Sequence, residues 1–282
     1  MSDPVVSVVV NYFNPQDNPR VAAMVLFALE CLAAFTESPH ELILVDGSGK
    51  VSPAISDHCG ERGWSYQTCP DKGAFALIYN QGMRAARGRF GVWMASDIFV
   101  CTGWDKKLIA ELERTGAWMA APYLTNSDYL SQTRNYPIKM WTFVPSAMTF
   151  NLNMITRRCL DTVGYMDDRF TGNFNDSDYL IRIRQAGGEA IVVDAGQVLH
   201  AARATSSVAS TFRYDDDLNR FIEKYPELVR RHGGTDLNLA HPLLCRTRLY
   251  RGLIKLCYLT PKRLAFRLHQ QLARLEPMMA AR

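Results

Sequence analysis

The sequence lacks the cysteine pattern of a disulfide-stabilised or zinc-binding protein. Its 7 cysteines are an odd number, lie scattered along the chain and never form a Cys-x-x-Cys pair. Disulfide frameworks use even numbers of cysteines, and thiolate zinc sites use closely spaced ones. We therefore expect free thiols, as in a reducing cytoplasm.

Long apolar runs are also absent. The longest run, residues 21–35, contains Glu30, whereas a membrane-spanning helix needs roughly 20 apolar residues. Residues 5–10 form a short apolar run that follows no basic segment and ends at Asn11, which is not the pattern of a secretory signal. We interpret the first run as a buried helix and the second as a strand, and we expect a cytoplasmic protein.

The net charge of +4 is unevenly distributed. From His241 onward there are nine Lys or Arg and one acidic residue, a net charge of +8, which leaves −4 for the preceding residues. In this basic segment, apolar residues recur at helical spacing: Leu264, Leu268, Leu272, Leu275 and Met279. Such an amphipathic helix can lie on anionic lipid or pack on the protein itself or a partner. The acidic body and the lack of a nucleic-acid motif argue against nucleic acid as a partner.

The first half of the chain alternates strand and helix patterns. This alternation predicts an α/β fold with a doubly wound, mostly parallel sheet and helices on both faces. The pattern predicts strands at 5–10, 41–45, 65–68, 90–94, 117–121, 190–193 and 197–200. It predicts helices at 20–37, 52–62, 73–87, 105–114, 156–163 and 176–186, and helical structure from 210 to the end.

Polar side chains follow the ends of three predicted strands: Asn11, Asp46 with Ser48, and Ser96 with Asp97. Because ligands of open α/β sheets bind beyond the carboxyl ends of the strands, we expect these side chains to converge on one ligand. Asp46 can accept a hydrogen bond from a nucleotide base, with support from Ser48, or can simply form the turn before Gly47.

Two further groups can contact ligands. Asn80 and Arg84 lie on the helix predicted at 73–87 and can reach a nucleotide or diphosphate, with a solvated helix face as the alternative for Arg84. The irregular segment 123–150 carries aromatic side chains: Tyr123, Tyr136, Trp141 and Phe143. They can form a stacking platform for an acceptor sugar or can pack in the core.

The runs VVSVVVNYFN, ELILVDGSG and YNQGMRAARGRFGVWMASD follow one another along the first half of the chain. In this order they resemble the donor half of the family 2 glycosyltransferases, which have the GT-A fold. The second half of that family is similar to LNMITRRCLDTVGYMDDRF and to FNDSDYLIRIRQAG, which resembles the motif Phe-Glu-Asp-x-Asp-x-x-x-Arg. The resemblance extends over residues 5–200.

The resemblance implies a divalent cation, Mn²⁺ or Mg²⁺, at the diphosphate of a nucleotide-sugar donor, where it stabilises the charge of the leaving group. Asp97 matches the last Asp of the family's Asp-x-Asp motif and is the implied metal ligand. Ala95 stands where the first Asp of that motif is expected. His200 matches the His that completes the metal site in many members, and imidazole suits first-row ions.

The resemblance also implies the catalytic base. Asp176 matches the carboxylate that takes the proton of the acceptor hydroxyl as this hydroxyl attacks the anomeric carbon. Asp178 is the second candidate, for binding the acceptor or supporting the site, although an Asp at a helix start also caps backbone N–H groups. Asn175 replaces the Glu of the motif, and we expect Arg182 and Arg184 to orient the carboxylates.

The implied function is an inverting glycosyltransferase that moves a sugar from a nucleotide-diphosphate sugar to a glycan or lipid-linked acceptor. Its expected setting is bacterial surface polysaccharide or lipopolysaccharide assembly, at the inner face of the membrane. We assign residues 1–210 to the catalytic domain, with a donor half at 1–100 and an acceptor half at 101–210. Residues 211–282 form the basic, helical C-terminal extension.

Two alternatives stay open. Ala95 and Asn175 depart from the family motifs, as in a degenerate, non-catalytic protein that binds sugar nucleotides or acts as a scaffold. A nucleotidyltransferase shares the α/β plan, but it needs a Gly-rich basic loop near the first strand, and residues 11–20 contain no glycine.

Overall fold

The computed structural model of the chain describes residues 3–70, 74–125, 151–201 and 214–232. Within these ranges the strands are β1 (Val6–Tyr12), β2 (His40–Asp46), β3 (Ser65–Thr68), β4 (Phe90–Ala95), β5 (Ile98–Phe99), β6 (Met119–Thr125), β7 (Leu152–Thr156) and β8 (Ala190–His200). The helices are α1 (Pro19–Phe35), α2 (Pro53–Arg62), α3 (Phe75–Ala85), α4 (Trp104–Thr115), α5 (Arg157–Val163), α6 (Asn175–Gln185), α7 (Tyr214–Lys224) and α8 (Pro226–His232).

These strands form one mixed sheet in the order β3-β2-β1-β4-β7-β6-β8-β5. The parallel pairs are β1 with β2, β1 with β4, β2 with β3 and β6 with β8. Strand β7 is antiparallel to both β4 and β6, and β5 is antiparallel to β8. The predicted α/β class with a mostly parallel sheet is confirmed, and the antiparallel strands β5 and β7 are additions to it.

Two segments differ from the sequence prediction. Residues 152–156, for which no strand was predicted, form β7. The helix predicted at 156–163 begins one residue later, because Thr156 caps α5 by accepting a hydrogen bond from the Cys159 N–H at 3.1 Å. Residues 190–200 form one strand and not two. Gly196, with φ of 92°, lies where the pairing with β6 shifts register, and glycine adopts this conformation without strain.

Apolar clusters fill both faces of the sheet, as the doubly wound prediction requires. Along β1, Val8 and Val10 face the cluster that includes α1 and α4, whereas Val9 faces the cluster that includes α3 and α6. In the second cluster, the Trp93 ring meets the edge of Tyr179 with 4.9 Å between ring centroids.

Helix α3 lies unusually close to β1 because of Gly82. A Cβ atom at this position would collide with the Val9 side chain, so only glycine allows this approach.

Among the residues that the structure describes, no helix is both long and apolar enough to span a bilayer. The aromatic residues Tyr136, Trp141 and Phe143 and the amphipathic pattern at 264–279 lie outside the described ranges. For Tyr123, the description covers only the backbone, in β6.

Candidate active site

The predicted polar strand ends meet at one edge of the sheet. In the register of the central strands, Tyr12 pairs with Asp46, and Asn11 pairs with Ala95, the residue before Ser96. Asp46, Ser48, Ser96 and Asp97 are all buried there, and Asn11 is half-buried. The parallel pairing of β1 with β2 and β4 thus gathers side chains that are far apart in the sequence.

Asp46 is fully buried at this edge and has partners for both carboxylate oxygens. Its Oδ1 accepts from the Ser48 N–H at 2.8 Å, and its Oδ2 accepts from the Tyr66 hydroxyl at 2.6 Å. Burial and the hydrogen bond to Asp46 raise the pKa of Tyr66 above its usual value. Asp46 therefore stabilises the turn at 46–48 through its hydrogen bond with the Ser48 N–H. Its contact with a nucleotide base stays a prediction.

Ser48 connects this turn to the loop that follows β1. Its Oγ accepts from the Asn14 N–H at 2.8 Å. The Asn14 side chain donates to the Tyr12 hydroxyl and to the Asn18 carbonyl, both at 3.0 Å, and accepts from the Asn18 N–H at 2.9 Å. Asn14 and Tyr66 were not predicted as site residues, although the repeated asparagines of NYFNPQDN were a visible signal for a side-chain-organised loop.

Asn80 does not present its amide to a donor in this structure. The side chain is buried, donates to the Met166 carbonyl at 2.8 Å and accepts from the Met166 N–H at 2.9 Å. Both polar ends of the amide are therefore used to tie α3 to the segment after α5. The predicted contact of Asn80 with a nucleotide therefore stays a prediction, and it would require the amide to exchange these partners.

Arg84 contacts the same segment. Its exposed guanidinium lies over the Tyr165 ring, 4.7 Å from the ring centroid, in a cation–π contact. Its predicted contact with a diphosphate is untested by this geometry, because an exposed arginine changes rotamer easily.

The structure brings the two predicted metal ligands together. Strand β5 pairs Ile98 with His200 of β8, and the Ala201 N–H donates to the Asp97 carbonyl at 2.9 Å. The Nε2 atom of His200 consequently lies 3.4 Å from Oδ1 of Asp97. Both side chains are buried, with 8% and 4% of their residue surface exposed.

This pair fits a divalent cation. Metal–ligand bonds of roughly 2.1 Å in octahedral geometry place adjacent ligand atoms about 3 Å apart, close to the observed separation. A carboxylate and an imidazole are suitable ligands for Mn²⁺. No group of three or more His, Cys, Asp or Glu with metal-site geometry occurs in the described part of the chain. Phosphate oxygens and water would have to fill the remaining positions.

The charge of Asp97 also reaches α3. Tyr79 is buried on that helix, and burial together with the nearby Asp97 carboxylate raises the pKa of its phenol well above the usual value. Tyr79 stays a neutral phenol at any physiological pH.

The two candidate carboxylates of α6 have different surroundings. Asp176 is half-buried in the first turn, and its Oδ1 lies 2.7 Å from the Ser177 nitrogen. Asp178 is fully buried and accepts from Arg182 Nε at 2.9 Å, Lys224 Nζ at 2.6 Å and the Tyr225 hydroxyl at 2.7 Å.

Asp178 thus has the surroundings of a carboxylate that supports the structure of the site, which is one of the two roles predicted for it. Three donors enclose it, and none of its surface is accessible to an acceptor sugar. As expected, Arg182 orients a carboxylate, and it also donates to the Val163 and Tyr165 carbonyls at 2.8 and 2.9 Å. Arg184 is exposed on α6.

The model of the family described as "Glycosyl transferase family 2" matches residues 7–168, which include Asp46 and Asp97. No curated protein sequence matches the chain.

Solved structures share the fold. TarS 1–349 of S. aureus, in complex with UDP-GlcNAc, is 15% identical with a TM-score of 0.55, over 84% of this chain and 68% of that one. The mannosyltransferase PcManGT of Pyrobaculum calidifontis, in complex with GDP-Man and Mn²⁺, is 15% identical with a TM-score of 0.54, over 99% and 86%.

A third structure is glucosyl-3-phosphoglycerate synthase of Mycobacterium tuberculosis, in complex with Mn²⁺, UDP and glucosyl-3-phosphoglycerate. It is 13% identical with a TM-score of 0.51, over 73% of this chain and 75% of that one. At such identities the likeness shows the fold, and it confirms the predicted GT-A-type sheet.

Proposed function

The chain belongs to glycosyl transferase family 2 and is a glycosyltransferase, and on this basis we propose which reaction it performs. It transfers a sugar from a nucleotide-diphosphate donor to a hydroxyl of a glycan or lipid-linked acceptor, with inversion at the anomeric carbon. The observation that carries the proposal is the buried pair of Asp97 and His200, 3.4 Å apart, at the sheet edge that also holds Asp46 and Ser48.

Asp97 and His200 would hold a divalent cation, Mn²⁺ or Mg²⁺, which when bound stabilises negative charge on a departing diphosphate. Two structures with the same fold contain Mn²⁺ together with a nucleotide or nucleotide sugar. Because Ala95 supplies no carboxylate, the protein contributes fewer acidic oxygens than the full motif would. We expect the cation to bind weakly without the donor and tightly with it, since the donor phosphates complete the coordination.

Asp176 acts as the general base. It is the more accessible carboxylate in the first turn of α6, because Asp178 is enclosed by three donors. Its carboxylate accepts the proton of the acceptor hydroxyl while that oxygen forms a bond to the anomeric carbon. The bond from the anomeric carbon to the diphosphate oxygen breaks on the opposite face, which inverts the configuration.

The turn at Asp46 and Ser48 and the loop around Asn14 form the donor end of the site. Their side chains are fixed by hydrogen bonds within the protein, so they present a rigid edge to a nucleotide. We assign the nucleotide base of the sugar donor to this edge, and we assign Asn11, Ser96 and Arg84 as further contacts to the donor. A rigid edge favours one base over others, because a poorly fitting base leaves buried polar groups unpaired.

The basic segment from His241 onward suits an acceptor at a membrane surface. Its net charge of +8 would attract the anionic lipids of the inner leaflet, where lipid-linked glycans of surface polysaccharides are assembled. This part of the proposal rests on charge and on the apolar spacing at 264–279 alone.

A thermal-shift experiment with UDP-GlcNAc and GDP-Man, each with and without Mn²⁺, tests the donor and the cation together. A ligand that binds only the folded state raises the melting temperature, so the preferred donor with Mn²⁺ should give the largest rise. Asp97→Asn should abolish the part of the rise that depends on Mn²⁺. Asp57→Asn, an exposed aspartate on α2, is the matched control and should behave as the wild type.

Sugar transfer is then measured as release of the nucleoside diphosphate with a glycan acceptor. If a donor binds but is neither hydrolysed nor transferred, the chain is the non-catalytic nucleotide-sugar-binding protein that Ala95 and Asn175 suggest. If no nucleotide sugar stabilises the protein, the donor assignment is wrong.

A further inference from the structure

Helix α7 binds the short segment that leads into α6 through hydrogen bonds and an aromatic contact. We name residues 171–174 the α6 entry loop. Asp217 of α7 is fully buried against it. Its Oδ1 accepts from the Thr171 N–H at 2.8 Å, and its Oδ2 accepts from the Thr171 hydroxyl at 2.8 Å, the Gly172 N–H at 3.1 Å and the Asn173 N–H at 2.9 Å. One carboxylate therefore binds three consecutive backbone N–H groups of the loop.

The last residue of this loop has a strained backbone. Phe174 has φ of 61°, a left-handed conformation that costs free energy for a residue with a side chain. Its ring stacks on Phe221, also of α7, with 4.9 Å between centroids and 25° between ring planes. Helix α7 thus holds both the backbone of the loop, through Asp217, and its strained end, through Phe221.

The opposite side of the loop contacts the donor half. The Thr171 carbonyl accepts from the N–H of Phe75, the first residue of α3, at 3.1 Å. Asn80, five residues further along α3, binds Met166, five residues before the loop. The α6 entry loop therefore lies between the helix next to Asp97 and helix α7, and its shape determines where α6 begins.

The Asp217 carboxylate is suited to this role. Burial raises the pKa of Asp217, but the hydrogen bonds from Thr171, Asn173 and Gly172 together outweigh burial and hold the pKa below its usual value. The group is consequently an anion at neutral pH, and an anion binds N–H donors more strongly than a neutral acceptor does.

We propose that Asp217 is a positioning residue for the transfer reaction, acting through the α6 entry loop on Asp176. Only Phe174 and Asn175 separate the last backbone N–H bound by Asp217 from Asp176. By fixing this backbone, Asp217 sets the position and direction of the Asp176 carboxylate relative to the donor. The inference rests on the proposed role of Asp176 as the base, and it adds α7, beyond the family match at 7–168, to the active site.

The test compares Asp217→Asn with Asp215→Asn, the same substitution at an exposed position of the same helix. Asparagine keeps the shape but has one acceptor oxygen and no charge, so the loop loses part of its anchoring. We expect kcat to fall roughly 100-fold, the effect of misplacing a catalytic group by about 1 Å. We expect the KM for the donor, and the Mn²⁺-dependent thermal shift with the donor, to stay at the wild-type values, because the donor end is untouched.

Hydrogen exchange gives a readout independent of activity. The amides of Gly172 and Asn173 should exchange faster in Asp217→Asn than in the wild type, while those of β1 and β4 keep their protection. Should Asp217→Asn fail to fold, Phe221→Leu tests the same loop, because it removes the ring stack on Phe174 and leaves the carboxylate. It should lower kcat with the donor KM unchanged.

The outcomes separate the two proposals. A folded Asp217→Asn or Phe221→Leu variant with wild-type kcat overturns the positioning role, and if Asp176→Asn is then inactive, the proposed function still stands. Equal loss of kcat and of donor affinity also overturns it, since that result indicates a general structural role. A wild type that transfers no sugar overturns both.

Discussion

Oδ1 of Asp97, the residue before β5, lies 3.4 Å from Nε2 of His200, the last residue of β8, and β5 and β8 pair antiparallel. The sequence predicts β8 only as two short strands and does not predict β5, which has only two residues. The pairing nevertheless buries a carboxylate and an imidazole next to each other at the carboxyl edge of the central strands. In the proposed function these two side chains are the protein ligands of the cation, so the cation would depend on the donor phosphates and its binding would be coupled to donor binding.

This dependence makes His200→Ala informative. The variant leaves a single protein ligand, so we expect a higher Mn²⁺ concentration for half-maximal activity. We also expect kcat to fall by ~100-fold or more, because a cation contributes several kcal/mol to stabilising the leaving group. Initial rates as a function of Mn²⁺ concentration measure both effects. In the reverse direction, Ala95→Asp should lower the Mn²⁺ requirement, and an unchanged requirement would show that this position does not face the cation.

Asp176→Asn should remove the general base without disturbing the fold. We expect kcat to fall by about 10²- to 10⁴-fold, the usual contribution of a positioned base, with a melting temperature near that of the wild type. The pH–rate profile should also lose its acidic limb. Steady-state transfer rates decide this, and unchanged transfer by Asp176→Asn would remove the base assignment.

Asp178→Asn should lower the stability of the protein, whereas Asp176→Asn should lower kcat. The substitution leaves the partly exposed cations of Arg182 and Lys224 beside a neutral amide. Breaking a buried ion pair costs about 3–5 kcal/mol, and we expect the lower end of this range because both cations keep some contact with solvent. We expect a melting temperature lower by ~10 °C. Any folded fraction should retain donor binding. Calorimetry with and without the donor tests this expectation. A variant that is stable but inactive would indicate a catalytic role for Asp178.

Asn80→Ala tests whether Asn80 serves the donor or the fold. The variant leaves the Met166 N–H and carbonyl without their partner in the interior, which costs about 1–3 kcal/mol for each unpaired group. We expect a lower free energy of unfolding and an unchanged donor KM at temperatures where the variant is folded. Urea unfolding and donor titration measure the two quantities. A raised donor KM without loss of stability would favour direct contact with the nucleotide.

The lowered pKa of Asp217 predicts an acid-dependent part of the stability. A carboxyl group whose pKa is lower in the folded than in the unfolded state stabilises the protein above the unfolded value of about 3.9 and loses this contribution as the pH falls through the folded value. The difference in stability between the wild type and Asp217→Asn should therefore be constant near neutral pH and shrink below about pH 4. Chemical unfolding at a series of pH values measures it, with Asp215→Asn as the control.

The class of fold could be predicted from the sequence because its signals are local. Alternating apolar runs and helix-ending glycines lie within a few residues of the elements they specify, and strand β3 was predicted at its observed bounds. The strands β5 and β7 were missed, because Ile98–Phe99 is too short to show a period, and Leu152–Thr156 follows an irregular segment.

The site residues also divide into those with a local sequence signal and those whose function depends on residues distant in the chain. Asp46, Asp97, Asp176 and His200 stand out in the sequence through their place in motifs, and the motif alone suggested that Asp97 and His200 belong together. The functions of Asn80 and Asp178 could not be read in this way, because Met166 and Tyr225, their partners, lie 86 and 47 residues away. Asp217 had no motif at all.

The chain's order of residues thus determines the strand and helix periods, the family motifs and the separation of an acidic body from a basic C-terminal segment. The tertiary structure decides which polar side chains are left to face a ligand. Asp176 and Asp178 are two residues apart in the same helical turn, yet Lys224 of α7 and Tyr225, together with Arg182 of α6, enclose Asp178 and leave Asp176 half-buried. Whether a carboxylate is available for chemistry depends on the donors that surround it, and two of the three donors to Asp178, Lys224 and Tyr225, come from a part of the chain that is distant in sequence.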